Sequence, residues 1–176
     1  MDLFKYTAHE LHEKLVNKEI TAVELTNAVY DRIAAVDEQV NAYISLSKEE
    51  ALAKAAEVDA KIAAGEAIAP LAGIPVVFKD NINIYGQVTS CASKMLQGVE
   101  TVFDAHVTEE LRKEDAVFLG KANMAEFSIG NTTDNSYNGA AHNPWNLNCT
   151  TGGCATAAAV AAGEAVWALA SDTSGD

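Results

Sequence analysis

The run LAGIPVVFKDNINIYG, Leu71 to Gly86, ends a solid apolar stretch on Lys79 and follows it at once with Asp80 and Asn81. A lysine that closes an apolar strand can lay its stem along the protein and reach solvent with its ammonium. Buried instead, an ammonium loses its proton more readily, and the resulting amine can work as a general base. Asp80 and Asn81 stand where they could hydrogen-bond such an amine and orient it.

A second chemical stretch is Cys149-Thr150-Thr151-Gly152-Gly153-Cys154, which runs into an alanine-rich segment. Gly152 and Gly153 let backbone amides approach whatever occupies the turn, and a helix start adds exposed N–H donors. The alternative is a glycine turn before a helix, with Cys154 as a small apolar filler. The third stretch, Ser171-Asp172-Thr173-Ser174-Gly175-Asp176, is a strand end giving way to a polar turn, a common place for sites in α/β proteins. Asp172 and Thr173 could equally begin a helix.

His106, His142, Cys149 and Cys154 lack paired ligand spacing, so no metal site is expected. Gly152-Gly153 stands without the third glycine or the Gly-Lys-Ser of nucleotide loops, and no cofactor is expected in this chain.

These residues need elements to hold them. The first third reads as three helices, each opened by a hydroxyl residue with glutamate three positions on: Thr7 with Glu10, Thr21 with Glu24, Ser47 with Glu50. Leu11 and Leu15, then Leu25, Val29, Ile33 and Val36, then Leu52 and Ile62 recur near helical spacing, and the third helix should stop at Gly65. Beyond Pro70, β-rich runs at Ile74–Phe78 and Ala116–Leu119 flank a helical segment starting near Asp104, with Val107 and Leu111 facing inward. Ala155–Gly163 reads as a helix and Glu164–Ala170 as an apolar strand. Alternating strands and helices predict a parallel sheet covered on both faces. The expected organisation is an N-terminal helical arm over residues 1–66 leading into an α/β core over 67–176, without internal repeats.

Composition narrows the function. The chain has 176 residues, 49% hydrophobic and 21% charged, enough for one domain or part of a larger one. Its 25 acidic against 12 basic residues give a net charge of −13, a field that repels phosphate backbones and anionic lipids. Direct nucleic-acid binding is therefore not expected, and any nucleic acid would be held by a partner. The N-terminus lacks the apolar centre of a secretory signal, and no stretch could span a bilayer. Cys91, Cys149 and Cys154, odd in number and sparse, suit a reducing cytoplasm.

Taken in order, the blocks ELHEKLVNKEITAVEL, PLAGIPVVFKDNI, TSCASKML, GKANMAEF, NTTDNSYNGAAHNPWNL and AAAVAAGEAVWALASDT resemble the amidase signature family, and within it the subunits of tRNA-dependent amidotransferases. The resemblance implies a mixed, largely parallel sheet flanked by helices and a Ser, cis-Ser, Lys triad that hydrolyses amides. In the amidotransferase branch the amide is glutamine, and the ammonia passes to companion subunits, which would also take the ATP and Mg²⁺. Lys79 matches the family's catalytic lysine, acting as base through the intermediate serine. Thr173, Ser174 and Gly175 match the turn whose amides form the oxyanion hole. Asp134, Asn135 and Ser136, with Gly152 and Gly153, match the substrate side, the first three following the family's Thr-Glu-Asn-Ser element with aspartate for glutamate; a capped loop is the alternative there.

Two positions depart from the family pattern. Its Gly-Gly-Ser-Ser-Gly-Gly-Ser is two residues shorter here, with Cys154 where the cis-serine belongs, and a non-proline cis bond costs about 2.5–4 kcal/mol unless its surroundings enforce it. Its Asp-Thr-Gly-Gly-Ser reads Asp172-Thr173-Ser174-Gly175-Asp176, which puts aspartate at the nucleophile. The likeness covers the N-terminal third of a family member, so the isolated chain is expected to be inactive, with open sheet edges that make it aggregation-prone or partner-dependent. A remnant that only binds a partner, another small-amide amidase of the family, and a Cys154 thiolate nucleophile are the competing readings.

Overall fold

The structure, a computed structural model, describes residues 3–173. A short turn of helix at Leu3–Lys5 precedes α1 (Ala8–Val16) and α2 (Ala22–Val40), and both of these open as their sequences predict. Thr7 Oγ1 accepts from the Glu10 amide while Glu10 Oε2 accepts from the Thr7 amide at 2.8 Å, and Thr21 and Glu24 repeat the exchange. Asp59, from a later helix, adds a carboxylate across the first-turn amides of Ala22 and Val23 at 2.7 and 3.1 Å.

The third expected cap does not form. Strand β1 (Tyr43–Leu46) intervenes, and Ser47, at the entry to α3 (Lys48–Ala64), makes no capping bond; its Oγ instead accepts from Gln87 Nε2 at 2.8 Å. The helix does end at Gly65, whose φ of 79° needs the left-handed conformation.

After β2 (Pro75–Lys79) come α4 (His106–Lys113) and β3 (Val117–Ala122). Helix α4 begins two residues later than expected, because Asp104 is engaged by the Tyr85 amide and by Arg112. Its inward position is Thr108, which donates to the Asn83 carbonyl at 2.9 Å; Val107 is exposed and Leu111 half-buried. The exposed hairpin of β4 (His142–Asn143) and β5 (Asn146–Thr150) has no counterpart among the predicted elements. The seven-residue α5 (Thr156–Ala162) then leads to β6 (Trp167–Leu169), shorter than the predicted strand.

The sheet order is β1-β3-β2-β6, with β3-β2-β6 parallel and β1 antiparallel at one edge. Every residue of β2 and β3 is buried, as central parallel strands require. Successive residues split between the two faces. Val77, Val117 and Leu119 join the core of α1, α2, α3 and α5, while Val76, Phe78 and Phe118 join Ile84, Leu111 and Trp167 on the other side. Phe78 and Phe118 meet edge to face at 4.7 Å. At Leu119 the register slips, and its carbonyl is taken by Tyr30 Oη and the Ser47 amide, both at 2.9 Å. No helix among the described residues is long and apolar enough to cross a membrane.

Candidate active site

Lys79 is the last residue of β2 and is 0% exposed. Its ammonium does not reach solvent. Nζ donates to the Ser171 carbonyl at 2.9 Å, just beyond β6, because β2 and β6 run parallel and end together. Asn81 holds the same residue from its side chain: Nδ2 donates to Ser171 Oγ at 2.7 Å and to Ser128 Oγ at 3.3 Å. Asn81 therefore orients the amine's partner rather than the amine. Asn81 Oδ1 is buried and finds no partner among the described residues.

Asp80 points elsewhere. Oδ1 lies 3.1 Å from Lys121 Nζ, and Oδ2 accepts from the Ser90 amide, Ser90 Oγ and the Ala92 amide at 3.0, 2.6 and 3.3 Å. Lys121, on β3, is also 0% exposed and gives a further bond to Thr89 Oγ1 at 3.0 Å. Burial pulls its ammonium below the ordinary lysine value, and the Asp80 charge opposes that pull. The Cys91 thiol, half-buried beside this pair, is pushed up first by burial and then by Asp80.

Cys154 is buried against Ala92 and Met124, with Sγ 3.1 Å from Thr156 Oγ1. Its loop lines up with the continuation of β3. The Ala125 amide donates to the Gly153 carbonyl at 2.8 Å, and the Ala155 amide to the Asn123 carbonyl at 2.9 Å. Since Lys79 is paired with Ala122, this brings Gly153 and Cys154 to the same end of the sheet as the amine. Every peptide bond among the described residues is trans. Gly152 takes φ 92°, with open space where a side chain would stand.

The loop at Asp134–Ser136 is tied by its own side chains. Asp134 accepts from Thr132 Oγ1 at 3.0 Å, Asn135 bridges the Glu126 amide and the Ile129 carbonyl, and Ser136 Oγ donates to Asn123 Oδ1 at 2.7 Å. These bonds account for Asn135 and Ser136 as loop staples beside the site. Asp172 and Thr173 are exposed where β6 ends, while Ser174, Gly175 and Asp176 lie outside the described residues.

Sequence reasoning gives no role to Lys121, Ser90, Asn123 or Ser128. Lys121 carries the same signal as Lys79, a lysine closing an apolar run, in VFLGKA. Nor does it find the left-handed pairs Cys91–Ala92 (φ 50° and 53°) and Phe127–Ser128 (φ 52° and 58°). Non-glycine residues rarely adopt this conformation, and such strain gathers at functional sites.

The profile of the family described as Amidase matches residues 24–176. A glutamyl-tRNA(Gln) amidotransferase subunit from Desulforamulus reducens is 50% identical, aligned over 99% of this chain and 36% of its own length. Native peptide amidase from Stenotrophomonas maltophilia superimposes with a TM-score of 0.83 at 34% identity, covering 92% of this chain and 35% of the amidase. The corresponding glutamyl-tRNA(Gln) amidotransferase subunit from Thermotoga maritima gives a TM-score of 0.76 at 34% identity, over 96% of this chain and 34% of that one. The chain thus spans about a third of the length of the relatives it matches.

Proposed function

Since the chain belongs to the Amidase family, whose profile spans most of its length, we propose that it supplies the lysine-bearing part of a site that hydrolyses a carboxamide, in the manner of a glutamine-dependent amidotransferase. The observation that carries this is the Lys79 ammonium, wholly out of water at the end of β2 and donating to the Ser171 carbonyl. In the proposed reaction Lys79 draws a proton, through the side chain at position 154, from an attacking hydroxyl. The hydroxyl oxygen bonds to the amide carbon, and the C–N bond then breaks. The proton returns along the same path to the departing ammonia, and water then cleaves the ester left on the hydroxyl oxygen, releasing the carboxylic acid and restoring the hydroxyl. The amides of Thr173, Ser174 and Gly175 would face the developing oxyanion, where losing one donor typically costs about 10²–10³ in rate. Gly152, Gly153 and the Asp134–Ser136 loop would border the substrate.

Cys154 stands at the relay position, where its thiol would pass the proton, and Asp176 at the nucleophile's, so the chain by itself lacks the attacking hydroxyl and is expected to release no ammonia. Identity of 50% along nearly the whole chain to a glutamyl-tRNA(Gln) amidotransferase component supports glutamine as the amide. Companion subunits in the cytoplasm would receive the ammonia and hold the tRNA, the ATP and Mg²⁺. The net charge of −13 favours leaving tRNA to them.

A chimera tests the proposal. Residues 1–173 of this chain replace the corresponding part of the Desulforamulus reducens relative, which keeps its own nucleophile, and ammonia release from glutamine is measured with the companion subunits present. Release that Lys79→Met lowers by about 10³ or more supports the assignment. A folded, assembled chimera that releases none would sink it, and would leave partner binding as the function.

A further inference from the structure

The second buried lysine lies outside the amide chemistry, and its contacts close a circuit around the site. All four polar groups of Asp80 are engaged: the amide donates to the Ala122 carbonyl at 3.2 Å, the carbonyl accepts from the Cys91 amide at 3.4 Å, and the carboxylate takes Lys121 on one oxygen and the Ser90–Ala92 turn on the other. That turn holds the left-handed Cys91 and Ala92, whose carbonyls accept from the amides of Phe127 and Tyr137 at 3.0 and 2.9 Å. Phe127 and Ser128 form the second left-handed pair, and Ser128 Oγ is bonded by Asn81, which also grips Ser171. Ser171 in turn accepts from Lys79.

We infer that Lys121 is a positioning residue for Lys79, acting through Asp80: it neutralises the buried carboxylate that organises the Ser90–Ala92 turn and, through the Phe127–Ser128 turn and Asn81, fixes the carbonyl to which the Lys79 amine donates. Resting on the amidase reading only for what Lys79 does there, the inference itself concerns geometry. A carboxylate taken out of water without a cation would draw in solvent or a proton, and three bonds to the turn would loosen together. The strained turns are the parts that such loosening releases first.

Cys91 reports on the near end of the circuit and Lys79 on the far end. Lys121→Met alone strands Asp80 and can simply unfold the chain, so the working variant is Asp80→Asn with Lys121→Met, in a Cys149→Ser background. Modification of Cys91 by a disulfide reagent is timed, and the two ε-protons of Lys79 are followed by NMR in ¹³C-lysine protein. They are distinct when the side chain is held in one conformation. We expect a folded double variant in which Cys91 reacts about tenfold faster or more and the Lys79 ε-protons merge. A folded double variant with both readings unchanged overturns the inference. Should the double variant not fold, Lys121→Gln, which keeps an N–H donor for Asp80 and Thr89 but removes the charge, carries the same readings with smaller shifts of the same sign, and unchanged readings there overturn it equally. Neither reading depends on ammonia release, so a silent chimera and an indifferent Cys91 are separate failures.

Discussion

Asn81 shows how much of a site can rest on a residue that does no chemistry. Its amide nitrogen spans Ser171 and Ser128, which belong to different loops, and Asn81→Ala would free both. In the chimera this change is expected to lower kcat on the order of tenfold or more with KM nearly unmoved, since it displaces the amine's partner and not the substrate; steady-state ammonia assays check it. Glu164 offers a test that needs no activity. It is 0% exposed, and neither carboxylate oxygen has a partner among the described residues. Burial first, then the nearby Asp37, push its pKa from 4.5 up to about 8, with Arg32 opposing. The folded chain thus keeps this proton to higher pH than the unfolded chain does. Its stabilising share is fully present below the ordinary value of 4.5 and is lost as pH rises through about 8. Against Glu164→Gln, urea denaturation is expected to show the wild type losing on the order of 4 kcal/mol between about pH 5 and about pH 9. Parallel curves for the two proteins would refute the assignment. Lys79 is legible in the sequence because a charge ending an apolar strand is conspicuous. Its partner Ser171 is not, because 92 residues separate them and no local pattern encodes the contact.

At the level of elements, legibility follows the strength of the local signal. The boxes at Thr7 and Thr21 form because nothing competes for their hydroxyls; the same pattern at Ser47 fails because Gln87, 40 residues on, takes the oxygen. Thr21→Ala is accordingly expected to cost about 1 kcal/mol. Ser47→Ala should leave amide exchange at the start of α3 unchanged and speed it near Gln87. Strand β1 is hidden because four residues between two strong helices carry too short an alternation, and the β4–β5 hairpin because its asparagine-rich strands bury almost nothing. Gly120 is the point where β1 meets β3. Its φ is 149°, and an added Cβ would run into the Ser45 carbonyl, so backbone and not a flexible side chain would have to yield. Gly120→Ala is expected to destabilise the chain by more than about 3 kcal/mol, read from the denaturation midpoint at unchanged slope.

For the whole molecule, the acidic charge and the exposed apolar side chains pull in opposite directions. Tyr85, Met95, Val102, Phe103 and Trp145 stand in solvent, and β6 is paired on one side only among the described residues. A charge of −13 holds copies apart at low salt, but screening shrinks that repulsion to a range of about 8–10 Å near physiological ionic strength. The isolated chain is expected to self-associate as salt and concentration rise, observed by sedimentation velocity; a monomer throughout would mean those side chains are too scattered to form a patch. The helices of the first third can be anticipated one at a time, but their packing onto the sheet in one core cannot, since that depends on β2 and β3 being buried on both faces. Strand β6 has only three residues, and it docks on β2 from about ninety positions further along. Closing so long a loop is slow. As the polypeptide is synthesised, helices and the β2–β3 pair can form first, and the amine at 79 meets its carbonyl only once the ribosome has passed codon 171. Until then that side chain stands in water without its acceptor, so the site's geometry is a late product of assembly.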